Sequence, residues 1–138
     1  TSQFIADTTV SRCLVIGSGI AGLQFALRAA DAGTVRVVTK KESRESNTNY
    51  AQGGIAGVLD PDDRFEDHVA DTIEAGGGLC DEQVVDSVVR AAPARINELI
   101  QWGCHFDREP AGGLVLGREG GHRRHRIVHA LGDATGKE

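Results

Sequence analysis

The chain has 138 residues, of which 40% are hydrophobic and 25% are charged, and its formal net charge of −5 argues against a general nucleic-acid-binding protein. No apolar run is long enough to span a bilayer and the first residues carry no signal-peptide pattern, so we expect a cytoplasmic protein with neither a membrane nor a nucleic acid as partner. The three cysteines show no C-x-x-C spacing and therefore suggest neither a metal site nor a disulfide framework.

A strand, a helix and a second strand are the first predicted elements. The apolar run Cys13–Ile16 stops at a glycine and predicts a buried strand, in which Cys13 is a small core residue. Apolar residues at helical spacing then predict a helix over residues 20–32, which Gly33 would end. The run Val35–Val38 predicts the second strand. This order and spacing are typical of a parallel βαβ unit.

The turn between the first strand and the helix has the pattern G-x-G-x-x-G, formed by Gly17, Ser18, Gly19, Ile20, Ala21 and Gly22. Gly17 permits the tight turn, Gly19 lets a pyrophosphate approach the backbone, and Gly22 lets the helix pack close to the sheet. The N–H groups and the dipole at the helix start favour a phosphate charge. Because the pattern lies between a strand and a helix, it predicts a dinucleotide-binding turn; the alternative is a glycine-rich turn without a ligand.

The end of the second strand lacks the acidic residue that commonly binds the ribose of NAD. Thr39 and Lys40 occupy this place, and Glu42 follows slightly later. This departure disfavours NAD as the ligand. Lys40 either contacts the cofactor or is a solvated lysine at a strand end, and the spacing alone does not separate these two interpretations.

Two helical regions follow a polar loop over residues 40–50 and a glycine-rich turn over residues 52–57. The first helix is predicted over residues 65–75, with Asp63 as its cap, Gly76 at its end and His68 exposed. The second is predicted to begin after Asp81 and to bury Val84, Val85, Val88 and Val89.

The last third of the chain contains a proline, a basic run and several short elements. Pro93 predicts either a kink or a restart of the helix, which then covers residues 94–102. A hairpin is predicted around residues 110–113, a short strand over residues 126–129 and a helix start at residues 133–135. His129 is either a core histidine or a site residue, and we favour the core. The basic run is either a solvated face or a positive wall for an anionic substrate, and it comprises His122, Arg123, Arg124, His125 and Arg126.

The predicted fold is an α/β fold with parallel strands and flanking helices. Two clear strands are too few for a doubly wound dinucleotide-binding sheet. We therefore expect residues 1–138 to be one domain, the N-terminal part of a larger Rossmann-like domain.

Several segments resemble a known flavoprotein family. SNTNYAQGGIA at residues 46–56 is similar to the flavin-contacting loop of the succinate dehydrogenase, fumarate reductase and L-aspartate oxidase flavoproteins. REGGH at residues 118–122, RIVHA at 126–130 and GDATG at 132–136 resemble the L-aspartate oxidase branch specifically. The resemblance extends over nearly all of the chain from Cys13 onward, and implies a Rossmann-like FAD-binding domain.

The resemblance implies FAD as the cofactor. The glycine turn would contact the pyrophosphate, and Lys40 would lie near the adenosine. The flavin would be lined by Asn47, Thr48, Asn49, Tyr50, Ala51, Gln52, Gly53 and Gly54. Succinate dehydrogenases have at the position of Asn47 a histidine that bonds covalently to the flavin, so non-covalent binding is implied here.

The resemblance also implies a reaction, the oxidation of L-aspartate to iminoaspartate with oxygen or fumarate as acceptor. Glu119 would orient the substrate ammonium group, and the product would feed quinolinate synthase in NAD biosynthesis. The catalytic arginine of the family matches nothing in this chain, so we expect residues 1–138 alone to be inactive. The alternatives are a succinate- or fumarate-type dehydrogenase and a non-catalytic dinucleotide-binding fragment.

Overall fold

A computed structural model describes residues 10–138 and divides the chain into two compact units, Thr1–Tyr50 and Ala51–Glu138. The first unit contains strand β1 (Cys13–Ile16), helix α1 (Ile20–Ala30), strand β2 (Val35–Val38) and a single 3-10 turn (Asn47–Tyr50). The second contains strand β3 (Ile55–Ala56), helices α2 (Phe65–Ala75) and α3 (Glu82–Gln101), and strand β4 (Ile127–Val128). No helix in the described part is long and apolar enough to cross a membrane.

The first unit is the βαβ arrangement that the sequence predicts. Strands β1 and β2 are parallel, in a register that pairs Cys13 with Val35 and Ile16 with Val38. Helix α1 ends at Ala30 rather than at residue 32, because the amides of Ala32 and Gly33 bond three residues back and tighten the last turn. Gly33, the predicted helix end, lies beyond it at a φ of +148°.

Strand β1 is less buried than predicted. Val15 faces α1 and is buried, whereas Leu14 is 59% exposed and Ile16 is 85% exposed. Side chains alternate between the two faces of a strand, and within this unit α1 packs on the face of Val15. Cys13, predicted to be a core residue, is half-buried.

The second unit is organised around a short antiparallel pair. Ile55 of β3 pairs with Val128 of β4, which confirms the predicted strand near residues 126–129. The buried cluster beneath it comprises Ile96, Phe106, Val128 and Ala130. The predicted hairpin is reduced to a tight reversal with one bridge, between Arg108 and Leu114.

Helix α2 has the predicted bounds and ends at Gly76, but its cap residue and the burial of His68 differ from the prediction. Arg64 takes the cap position, and the Asp63 carboxylate instead pairs with a distant arginine. His68, predicted to be exposed, is only 5% exposed and lies on the inner face of the helix with Asp71. A buried polar cluster therefore lies where the sequence suggested a solvated face.

Helix α3 begins as predicted but is not interrupted. The Asp81 carboxylate accepts hydrogen bonds from the second and third helical amides, which confirms the cap. The helix continues through Pro93, so the predicted restart is wrong. Val89 and Ile96 are buried on either side of the proline, and the packing of this continuous face outweighs the one missing N–H bond.

The predicted buried face of α3 is correct only in part. Val89 is buried and Val85 is half-buried, whereas Val84 is 57% exposed and Val88 is 62% exposed. At the end of the chain, residues 133–135 form turns rather than the predicted helix start.

Candidate functional site

A cleft in the first unit coincides with the predicted dinucleotide-binding turn. It is lined by Ile16, Gly17, Ser18, Gly19, Val38, Thr39, Lys40, Glu45, Ser46, Asn47 and Thr48. The cleft lies at the carboxyl ends of strands β1 and β2. Ligands of parallel α/β sheets usually bind at this end of the strands.

Glycine is required on the inner side of this cleft for steric reasons. Gly17 has a φ of +104°, in the region that disfavours residues with a side chain. A Cβ at Gly22 would lie 2.6 Å from the carbonyl oxygen of Gly17 and 3.2 Å from Val15. A Cβ at Gly19 would meet only Thr48, at an ordinary 3.7 Å. Gly22 is therefore needed for helix packing, and Gly19 leaves the backbone open toward the cleft.

Two polar contacts fix the walls of the cleft. Ser18 is buried and its hydroxyl lies 3.2 Å from that of Thr39, which joins the ends of the two strands. The Thr48 hydroxyl accepts a 3.1 Å hydrogen bond from the amide of Ile20, which ties the 3-10 turn to the start of α1. The first turn of α1 contains no acidic residue, so its dipole favours an anion in the cleft.

The predicted cofactor-binding residues of the first unit differ in their access to the cleft. Asn49 and Tyr50 belong to the 3-10 turn but lie outside the lining, and the Tyr50 hydroxyl donates a 2.6 Å hydrogen bond to Glu45. This hydrogen bond raises the pKa of Tyr50. Thr39 and Ser46 line the cleft although the sequence prediction did not include them. Thr39 could have been found, because it directly follows the carboxyl end of β2.

The second unit holds the predicted flavin loop against β4. A Cβ at Gly54 would lie 2.4 Å from Ile127 and 2.5 Å from the carbonyl oxygen of Val128, so only glycine fits there. The amide of Gly53, at a φ of +81°, donates a short hydrogen bond to the Asp133 carboxylate. The Ala51 carbonyl accepts a 3.2 Å hydrogen bond from residue 136 in the same terminal turns. Gln52 is exposed beside them.

Glu119 lies beside this loop. A Cβ at Gly53 would be 3.9 Å from each carboxylate oxygen of Glu119. One of these oxygens, Oε1, lies 2.8 Å from Nε2 of His129. Tertiary structure thus brings together a glycine turn, a carboxylate and an imidazole that are far apart in the sequence.

The basic run is divided between a buried ion cluster and the surface. Arg126 is fully buried and donates hydrogen bonds of 2.8 and 2.9 Å to Asp63 and Asp71. Arg123 donates from its backbone and its guanidinium to Asp71. Burial alone would raise the pKa of Asp71, but the hydrogen bonds and the charge of Arg123, with Arg126, lower it. The basic run is therefore neither a continuous positive surface for a substrate nor a fully solvated face.

Two histidines lie against the ion cluster. The rings of His68 and His122 meet edge to face, with centroids 5.3 Å apart. Burial lowers the pKa of His68, and the positive charge of Arg126 lowers it further. The folded protein therefore favours the neutral imidazole of His68 more strongly than the unfolded chain does.

The sequence over residues 12–138 matches the family described as FAD binding domain. The chain belongs to this family. The assignment confirms FAD, which the sequence resemblance predicted, as the cofactor of this FAD-binding domain.

The curated relatives of the FAD-binding domain include plant and bacterial proteins. This chain is 57% identical to L-aspartate oxidase 2-a, chloroplastic, of Nicotiana tabacum, over 90% of this chain and 19% of that protein. It is 51% identical to L-aspartate oxidase of Streptomyces coelicolor, over 91% of this chain and 22% of that protein. The chain thus spans about a fifth of the length of these relatives.

Solved structures confirm the predicted fold class. A variant of the E. coli quinol fumarate reductase matches 92% of this chain and 22% of that chain, with a TM-score of 0.83 and 33% identity. The Mycobacterium smegmatis Sdh1 complex matches 93% of this chain and 22% of that chain, with the same TM-score and identity. Both similarities support the predicted flavoprotein family.

The residues of the cleft fit the pyrophosphate of FAD. Gly19 leaves the backbone accessible, Ser18 and Thr39 supply hydroxyl groups, and the acid-free start of α1 offers a positive dipole end. Lys40 adds an exposed cation to the same lining.

Proposed function

We propose that this chain is the FAD-binding portion of an L-aspartate oxidase. The observation that carries the proposal is the position of Glu119, whose carboxylate lies beside the glycine turn at Gly53. The plant and bacterial relatives named L-aspartate oxidase support it, because they match nine-tenths of the chain at 51–57% identity.

Glu119 supplies the group that distinguishes an amino acid from a plain dicarboxylate. Its side chain is about half exposed and is held at one oxygen by His129. In the described part of the chain, its second oxygen, Oε2, has no hydrogen-bond partner. A carboxylate in this state accepts a strong hydrogen bond from a substrate ammonium group and repels a dicarboxylate that lacks one.

The chemistry that FAD supplies when bound is hydride acceptance, followed by reoxidation by oxygen or fumarate. The protein binds FAD and orients the substrate. Ser18 and Thr39 join the strand ends, where they would hold the pyrophosphate, and Lys40 would lie toward the adenosine. Iminoaspartate is the product, and quinolinate synthase is its consumer.

Binding of FAD in this protein is non-covalent. Asn47 lines the cleft, and its amide side chain cannot form the histidyl bond to the flavin. Denaturation should therefore release the yellow cofactor into solution.

A succinate- or fumarate-type dehydrogenase is the second candidate. The similarity to the E. coli quinol fumarate reductase structure, with a TM-score of 0.83, favours it. Glu119 and Asn47 disfavour it, since the first repels an amine-free dicarboxylate and the second excludes the covalent flavin. A non-catalytic dinucleotide-binding fragment is the third candidate, and it predicts no turnover of L-aspartate or of succinate.

The test measures hydrogen peroxide release by the FAD-loaded full-length protein with L-aspartate and with succinate. Oxidation of L-aspartate alone is the expected result. Glu119→Gln should raise the KM for L-aspartate by a factor of about 10 or more, because a charged hydrogen bond is lost. The matched control is Glu109→Gln, which changes an exposed carboxylate in the 108–114 reversal and should leave the KM unchanged.

Three results would contradict the proposal. Turnover of succinate in place of L-aspartate would favour the second candidate, and no turnover of either compound would favour the third. Peroxide release by residues 1–138 alone would contradict the expectation that this chain lacks part of the active site.

A further inference from the structure

The pocket that holds His129 is built from glycines. A Cβ at Gly117 would lie 2.9 Å from Cε1 of His129, and a Cβ at Gly54 would lie 3.0 Å from its Cδ2. Any side chain at either position would displace the imidazole. The ring is therefore enclosed on two edges by backbone, and its side chain is only 22% exposed.

The backbone on both sides of His129 is also fixed. Its carbonyl oxygen accepts a 2.8 Å hydrogen bond from the amide of Asp107, and Val128, which precedes it, is paired with Ile55. The following residue, Ala130, is fully buried. The imidazole thus projects from a rigid strand end rather than from a mobile loop.

The hydrogen bond to Glu119 determines which nitrogen of His129 carries a proton. Nε2 lies 2.8 Å from Oε1, and an ionised carboxylate can only accept a hydrogen bond. Nε2 therefore carries the proton and donates. The carboxylate of Glu119, about half exposed, rotates freely unless one of its oxygens is held. Among the described residues, His129 is the one side chain that forms a hydrogen bond with it.

We propose that His129 is a positioning residue that holds Oε1 of Glu119 and thereby aims Oε2 at the substrate ammonium group. This inference rests on the proposed function and deepens it, because it assigns amino-group selectivity to a Glu119–His129 pair. His129 does not touch the reacting atoms. It restricts the Glu119 side chain before substrate binds, so less conformational entropy is lost on binding.

The experiment compares two amide variants in the FAD-loaded full-length protein. The shorter side chain of His129→Asn fits between the glycines but does not reach Glu119, whereas His129→Gln places an N–H donor near the position of Nε2. We expect the Asn variant to raise the KM for L-aspartate about tenfold with little change in kcat, and the Gln variant to stay within about threefold of the wild type. His105→Leu, which changes an exposed histidine, is the control that should leave KM unchanged.

Succinate inhibition separates positioning from a general structural role. Succinate has no ammonium group, so its inhibition constant should be the same in the wild type and both variants. In a background of Glu119→Gln, the Asn substitution should have no further effect on the KM, because the pair acts as one unit.

Each other outcome overturns the inference. A parallel rise of the L-aspartate KM and the succinate inhibition constant, or loss of FAD from the Asn variant, would assign His129 a structural role. An unchanged KM in the Asn variant, when Glu119→Gln raises it, would overturn the inference and leave the proposed function intact. If the wild type does not oxidise L-aspartate, the proposed function fails and this inference fails with it.

Discussion

The two units build their functional groups in opposite ways. In the first unit, the cleft follows from one local motif, and only Val15 and Ser18 are buried among residues 10–50. In the second unit, Glu119, His129 and the glycine turn at Gly53 meet only through a folded core and a buried ion cluster. A site formed by the backbone of one segment can lie among exposed residues. A site formed by distant segments needs a buried core to hold those segments together.

The contrast extends to electrostatics. The polar groups of the first unit lie at an open cleft. They are the positive end of the α1 dipole, hydroxyl groups and an exposed lysine. The second unit buries Arg126 against Asp63, a pair separated by 63 residues in the sequence. Breaking that pair would leave an uncompensated charge in the interior, a far larger penalty than the loss of an exposed charge.

The largest expected effect is therefore on the stability of the second unit. Asp71→Ala removes a partner of Arg126 and Arg123, and we expect the free energy of unfolding to fall by about 3 kcal/mol or more. Urea denaturation followed by circular dichroism measures it. The control is Asp86→Ala, which breaks an exposed pair with Arg90 and should lower the stability by less than about 1 kcal/mol. Equal losses in the two variants would show that the buried ion cluster of the second unit contributes no more to stability than an exposed pair.

The next effect tests the local motif of the first unit. Gly22→Ala places a Cβ 2.6 Å from the Gly17 carbonyl, so the turn must shift and the FAD dissociation constant should rise about tenfold or more. Flavin fluorescence titration measures it. Gly113→Ala is the control, because a Cβ there meets nothing within 4 Å and FAD binding should not change. Unchanged FAD binding by the Gly22 variant would mean that the turn is not a phosphate cradle.

A smaller effect is a pH dependence that originates in the second unit. Burial and Arg126 lower the pKa of His68, so the unfolded chain takes up a proton before the folded chain does as the pH falls. The stability from neutral His68 is fully present above its ordinary pKa of 6.5 and is lost progressively below it. The groups that face it are His122, Asp63, Asp71 and Arg126.

Thermal unfolding from pH 7.5 to 5.5 measures this dependence, and His68→Leu should flatten the curve in that range because no proton can be taken up. The lowered pKa of Asp71 acts in the same direction only at more acidic pH, since its stabilisation is lost as the pH falls through its folded value. A variant curve as steep as that of the wild type would refute the assignment to His68.

The smallest expected effect is on the exposed cation of the first unit. Lys40→Met should weaken FAD binding by up to about fivefold, and the loss should shrink at high salt, because exposed charges are screened. Lys41→Met changes a neighbouring exposed lysine outside the cleft lining and is the matched control. Equal losses for the two lysines would show a general charge effect rather than a contact with the adenosine.

The sequence by itself determined the parallel βαβ unit, the glycine turn and the Asp81 cap. These features depend on backbone dihedrals, on amides a few residues away and on short periodicities, so the information lies within a single segment. The family resemblance also identified FAD and selected Glu119 from among several exposed carboxylates.

Only the tertiary structure decided the burial of His68, the continuity of α3 through Pro93 and the contact of Glu119 with His129. Each depends on a partner that is remote in sequence: Arg126 for the polar face of α2, the core beneath Ile96 for the proline-containing helix, and β4 for the imidazole. Propensity and spacing describe one segment at a time, whereas the free energy of burial belongs to pairs of segments that meet only after folding.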